Sequence, residues 1–143
     1  MSNVQYLGTG EGASTMDRST RQFFLAGAAI VAGDWVMLDA SQPHEDQALY
    51  VLQADVVAHG NQLVVGVALN AAAAAGDKVE VCIGGYCKVA NVTTAIASAI
   101  AIVIDATAGR GDVAAATDLA SPCGTVLTVA AGNVAAVWVH RKF

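Results

Sequence analysis

From Phe23 onward, short Val, Ile and Leu runs alternate with segments of Gly, Asp, Asn and Ala. Runs of 4–8 residues rich in β-branched side chains and bounded by turn residues read as strands. The pattern predicts strands at Gln22–Leu25, Trp35–Asp39, Leu49–Gln53, Leu63–Leu69, Lys78–Ile83, Tyr86–Ala90, Ile100–Asp105, Gly124–Val129 and Val134–His140. Helix signals are weak. Thr93–Ala97 suits one turn with Thr93 as N-cap, and the Ala runs at 71–75 and 114–116 are too short for helices of their own. Pro43 and Pro122 fall in predicted loops. Residues 1–22 are different: Gly, Ser and Thr dominate, and Val4, Tyr6, Leu7 and Met16 are the large apolar groups. They read as an extended N-terminal arm ahead of a single β domain at 23–143.

The strands repeat in order. Trp35–Ser41 and Ile100–Thr107 are both apolar runs closed by Asp-Ala-Ser/Thr (Asp39-Ala40-Ser41 and Asp105-Ala106-Thr107). The first is followed by Gly66-Val67-Ala68-Leu69, Gly76-Asp77 and the strand Lys78–Ile83. The second is followed by Gly124-Thr125-Val126-Leu127, Gly132-Asn133 and the strand Val134–His140. The spacings shrink from 27 to 19 residues and from 10 to 8. Turn residues match as well as apolar ones, and Gly-Asp and Gly-Asn are turn chemistry. The expectation is an all-β fold, a small barrel or sandwich built from two similar β units near 28–83 and 97–140. It would carry at most one or two short helical turns and close its own edges.

Composition narrows the surroundings. The chain is 55% hydrophobic and 13% charged, with mean hydropathy +0.53. The excess comes from about 30 Ala and about 20 Val. Ordinary soluble domains carry about 25% charged residues, so much of this surface is expected to be covered by protein. The longest apolar run, Ala95–Ile104, is half of what a spanning helix needs, and the N-terminus has no signal-peptide pattern. Neither a membrane nor secretion is expected, and synthesis in the cytoplasm is. Seven Lys+Arg against 12 Asp+Glu argue against nucleic acid.

Candidate chemistry is sparse. Val81–Lys88 reads as a hairpin about a Gly84-Gly85 turn, which would set Cys82 opposite Cys87. A strained cross-strand disulfide between them is the alternative to two buried free thiols, which a reducing cytosol favours. His44, His59 and His140 show no zinc spacing with the three cysteines. Nucleophile elbow, phosphate loop and dinucleotide fingerprint are all missing, so neither an enzyme nor a cofactor is expected. Asp34, Asp39, Asp77 and Asp105 fall at turns. Arg110-Gly111-Asp112 lies in a predicted loop, where Gly-Asp is ordinary turn chemistry. Trp35 and Trp138 are expected mostly in the core. Val4, Tyr6, Leu7, Arg18, Arg21 and Phe24 are the candidate contact residues for a partner, the arginines through acidic patches.

The stretches Ala28–Asp39, Val64–Val81, Gly84–Val89, Ile102–Thr107 and Gly124–Leu127 together resemble the small capsid decoration (cement) proteins of tailed phages. The resemblance covers roughly 28–139. It leaves out the arm, and the loop 41–62 is longer than expected. It implies a virion protein on the outer capsid surface, homotrimeric, bound where major capsid protein subunits meet, and stabilising the head by mass action and avidity. The competing expectation is a carbohydrate- or host-binding β module of a phage fibre or surface structure.

Overall fold

The computed structural model describes residues 18–55, 63–94, 96–114 and 122–140. Among them nine strands join in one sheet. They are β1 (Ser19–Ala26), β2 (Trp35–Leu38), β3 (Tyr50–Gln53), β4 (Val64–Ala68), β5 (Lys78–Asn91), β6 (Ala101–Ile104), β7 (Gly111–Val113), β8 (Gly124–Val126) and β9 (Val134–Val139). A short 3-10 helix, His44–Ala48, follows Pro43. No helix among the described residues is long and apolar enough to cross a membrane.

The pairing closes a barrel. β1 runs parallel to β3, and β3–β2, β2–β4, β4–β5 and β5–β1 are antiparallel, so five strands return to their start. The remaining strands repeat the scheme. β5–β9, β9–β8, β8–β6 and β6–β7 are antiparallel, and Val92, just past β5, bridges Gly111 of β7 in parallel. The fold is therefore all-β, with two similar five-stranded units that share β5. The N-terminal half of that strand ends the first unit and its C-terminal half begins the second.

The register carries the equivalence to single residues. Trp35, Val67, Cys82 and Arg21 are successive neighbours across four strands of the first unit. Ala101, Thr125, Trp138 and Tyr86 are the corresponding neighbours in the second. The matching turns use the same chemistry. At the end of β2, Asp39 accepts from the Ser41 amide (3.0 Å), the Ser41 hydroxyl (2.5 Å) and Gln42 Nε2 (2.8 Å). After β6, Asp105 accepts from Arg110 Nε at 2.6 Å and is bonded by the Ala106 and Thr107 amides.

Several expectations are corrected. Gly84-Gly85 is no hairpin turn: β5 continues through it with a register irregularity, because both of its edges are occupied there. Gly85 pairs with Ser19 on one side and with Val139 on the other. The glycine serves close approach instead. Its φ is +83°, and a Cβ on it would lie 2.0 Å from the Arg18 carbonyl oxygen. Ser19–Gln22, read as arm, belong to β1 and pair with Gly85, Gly84, Cys82 and Val81. The Thr93 hydroxyl, expected to cap a turn, donates to Asp112 instead (2.6 Å). The Arg110-Gly111-Asp112 segment leads into a strand, with Arg110 ion-paired to Asp105 and Gly111 buried.

Two cores result. Phe24, Ala26, Val36, Val51, Val65, Val79, Val81 and Ile83 fill the first barrel. Ile102, Val126, Val137, Val139, Ala90 and Val92 line the second unit, and Trp35 of β2 completes it. The indole is fully buried and donates to the Asn91 carbonyl at 3.1 Å. It lies where a Cβ on Gly124 would approach its ring to 2.7 Å and one on Gly111 to 3.1 Å. Glycine at both positions leaves the space that the ring fills. Beside it, the buried carboxylate of Asp34 accepts from the Val31 amide (2.9 Å), Gln53 Nε2 (2.6 Å) and Asn91 Nδ2 (2.8 Å), fastening the ends of β3 and β5 together. Such a carboxylate is tolerated because its lone pairs are used.

Candidate functional site

β1 is exposed along one side, and alternation decides which side chains stand there. Phe24 points inward at 4% exposure, while Phe23 points outward at 55%. Expecting Phe24 as a contact residue was an error of phase: the outward residue is its neighbour. Phe23 lies opposite Glu80, and Leu25 lies opposite Lys78. Lys78 Nζ sits 4.6 Å from the centroid of the Phe23 ring, a cation–π geometry. Arg21, two residues from Phe23 on the same side, donates through Nη1 to Glu80 Oε1 at 3.2 Å. Asn70 pins this edge, because its Nδ2 donates to the Lys78 carbonyl (3.2 Å) and its Oδ1 accepts from the Glu80 amide (2.7 Å). The parallel pairing to β3 adds Tyr50 next to Leu25.

The face thus combines an open aromatic ring with an ammonium, a guanidinium and a carboxylate on rigid strands. Arg21, expected as a contact residue from its charge, stands on this face. Glu80, Lys78 and Phe23 were not singled out in the sequence, because only strand pairing brings 78–80 beside this segment of β1. Arg18 is exposed at the start of this strand. Val4, Tyr6 and Leu7 lie outside the described residues.

Cys82 and Cys87 sit in one strand on either side of Gly85, so no cross-strand pair exists. Both thiols are free and buried. Cys82 Sγ donates to the Gly84 (3.5 Å) and Tyr86 (3.7 Å) carbonyls and Cys87 Sγ to the Val89 carbonyl (3.4 Å); the neighbouring Cys87 thiol holds Cys82 down to about 6, and Cys82 together with burial pushes Cys87 up. Ser19 Oγ, at 3.5 Å, lies against Cys82 Sγ. Cys123 is buried as well, and its Sγ donates to the Ile102 carbonyl at 3.3 Å. Among the described residues no group of three or more His, Cys, Asp and Glu side chains is placed to hold a metal ion. His140 is tied down within the fold, with Nε2 2.9 Å from Thr125 Oγ1 and Nδ1 3.2 Å from the Pro122 carbonyl.

Trp138, expected in the core, is 44% exposed. Ala135, Val137 and Val139 take the inward positions of β9, so the residue between them must face out.

No protein-family model matches the chain, and no curated protein matches it. Among solved structures the chain is similar to the N base of the head fibre protein gp8.5 of bacteriophage phi29. Sequence identity is 10% over 85% of this chain and 94% of that one, with a TM-score of 0.57. This overturns the resemblance to capsid decoration proteins, since the fold found belongs to a fibre base. The physical reason lies in the signal itself. Ala, Val and Gly between short strands are what the packing of two small β units demands, and such a pattern specifies a fold without specifying a function.

Proposed function

We propose that the protein is a structural β module of a phage surface fibre, virion-associated and non-enzymatic, that contacts a host-surface saccharide through the β1–β5 face. The observation carrying the reading is the cluster of Arg21, Phe23, Lys78 and Glu80. A sugar ring presents an apolar C–H face and a rim of hydroxyls. The open Phe23 ring suits the first, and the Arg21–Glu80 pair with the Lys78 ammonium suits the second, since charged groups make the stronger hydrogen bonds. The site is preorganised, because β1 and β5 pair along their length and Asn70 fixes the edge. The fibre setting draws its support from the likeness to the phi29 head fibre base.

The test is binding of the purified full chain to a saccharide array and to envelope polysaccharide from candidate host cells. Phe23→Ala and Glu80→Gln should each weaken binding by about ten-fold or more, the size of a contact worth over 1 kcal/mol. Val31→Ala, at an exposed residue outside this cluster, should leave it unchanged. No saccharide bound, or binding indifferent to both substitutions, would sink the reading.

A further inference from the structure

Charge is spread unevenly over the molecule. The chain carries 7 Lys+Arg against 12 Asp+Glu, a formal net charge of -5. The paired stretches 18–26 and 78–85 reverse that sign. Their charged residues are Arg18, Arg21, Lys78 and Glu80, three cations against one anion. Asp77, next to Lys78 in sequence, is engaged in its own turn, where it accepts from the Ala73 and Ala74 amides at 3.0 Å each. Elsewhere among the described residues Arg110 is ion-paired with Asp105, and Lys88 lies in the second half of β5. The cations beside Phe23 are incompletely answered. Glu80 aims the Arg21 guanidinium through one nitrogen, Nη1, at 3.2 Å. Lys78 Nζ rests against the Phe23 ring and makes no ion pair among the described residues.

We infer that the saccharide taken by this face is an acidic one, whose carboxylate or phosphate lies against Arg21 and Lys78 while its ring lies on Phe23. The inference rests on the saccharide reading above and narrows it to a chemical class. Arg21 precedes Phe23 by two residues on β1, and Lys78 lies opposite Leu25, two residues beyond, so the two cations flank the ring. Glu80 cancels one of these charges, and the other is left for the ligand to answer. Covering a cation with a neutral ligand strips its water and returns no counter-charge, which costs free energy. An acidic group supplies that counter-charge. Hydrogen bonds from an ammonium or a guanidinium to its oxygens are roughly twice as strong as neutral ones, and a guanidinium matches the geometry of a carboxylate or a phosphate. The rest of the surface favours the same choice. A chain of net charge -5 repels an anionic ligand in general, and a local patch of opposite sign steers it to one place.

Paired probes on a saccharide array test it, each pair differing only in the acidic group: hexuronic acids with the corresponding hexoses, and sugar phosphates with the corresponding sugars. The full chain should bind the acidic member about ten-fold or more tightly than the neutral one, the size of one charge-assisted contact. The kind of pair that shows the preference identifies carboxylate or phosphate. Raising the ionic strength should weaken binding of the acidic member and leave the neutral member unchanged. Lys78→Gln and, separately, Arg21→Gln should each remove most of the preference, and Lys78→Arg should keep it. Phe23→Ala should weaken both members alike. These side chains are exposed, so the variants should keep the unfolding midpoint of the unaltered chain. Equal binding of acidic and neutral members, or a preference unaffected by both Gln substitutions, would overturn the inference and leave the saccharide reading in place. No saccharide bound at all would overturn both.

Discussion

The two β units share strand order, direction and register, yet they are filled differently. The first is sealed along β1, which pairs with β5 over most of its length and with β3 at Leu25 and Ala26. Its interior is its own: Phe24, Val36, Val51 and the valines of β5. Among the described residues the second closes through the bridge Val92–Gly111. Its lining is small, with Ala90, Ala135, Gly111 and Gly124, and it takes Trp35 from the first unit as its central side chain. One topology thus gives a self-sufficient barrel and a dependent one. The second unit needs the first for its packing, so the two should behave as one cooperative body.

The largest expected effect follows from removing that shared side chain. Trp35→Ala should cost about 3–5 kcal/mol, the usual range for deleting a buried aromatic, read by urea unfolding. Hydrogen exchange should show amides of β6–β9 losing more protection than those of β1–β3. Equal loss in both units would contradict the dependence. Gly124→Ala should cost about 1–3 kcal/mol by overpacking against the indole. In the double variant the two penalties should fall short of their sum, because they act on one space.

A smaller effect separates the matched turns. Burial pushes the Asp39 carboxyl up, but the hydrogen bonds from Ser41 and Gln42 outweigh it and hold it below its ordinary 3.8. Burial also pushes Asp105 up, and Arg110 with the Ala106 and Thr107 amides holds it down. Groups depressed on folding stabilise above their unfolded value, and that contribution is lost as pH falls through the folded one. Stability should therefore decline below the ordinary carboxylate value of 3.8. Asp39→Asn and Asp105→Asn should each flatten that decline in a urea-midpoint series against pH. Asp39 should flatten it more, because it is the more buried of the two and Asp105 shares its partner with solvent.

The smallest stability effect belongs to the candidate saccharide face. Arg21→Ala breaks a half-exposed ion pair with Glu80, and such pairs contribute about 0–1 kcal/mol. The thermal midpoint should hardly move. A large drop would mean that the Arg21–Glu80 pair helps to hold the β1–β5 seam, and would make the first barrel less self-sufficient than its own core suggests.

Much of the architecture was legible because it rests on local rules. Asp-Ala-Ser and Asp-Ala-Thr close equivalent strands in both halves since the carboxylate caps the turn in each. The apolar runs marked eight of the nine strands within a few residues. The ninth, Gly111–Val113, was hidden because Gly-Asp has turn chemistry when its partner strand is not known. Gly84-Gly85 misled for the related reason that a glycine pair serves a turn or a close approach equally well. The candidate face was half legible: Arg21 by its charge, but neither Glu80 nor Lys78, which join it through pairing across more than fifty residues of chain.

By itself the sequence determined the β class, the Asp-Ala-Ser and Asp-Ala-Thr turns, the twofold order of elements and the poverty of charge. These depend on side-chain volume, β-propensity and backbone conformation, all local properties. Tertiary structure alone decided which of Phe23 and Phe24 faces solvent, that β5 runs through its glycines to serve both units, and that Trp35 is buried while Trp138 is not. Alternation along a strand leaves two choices of face. Only the pairing partners, and what finally packs against each face, select between them.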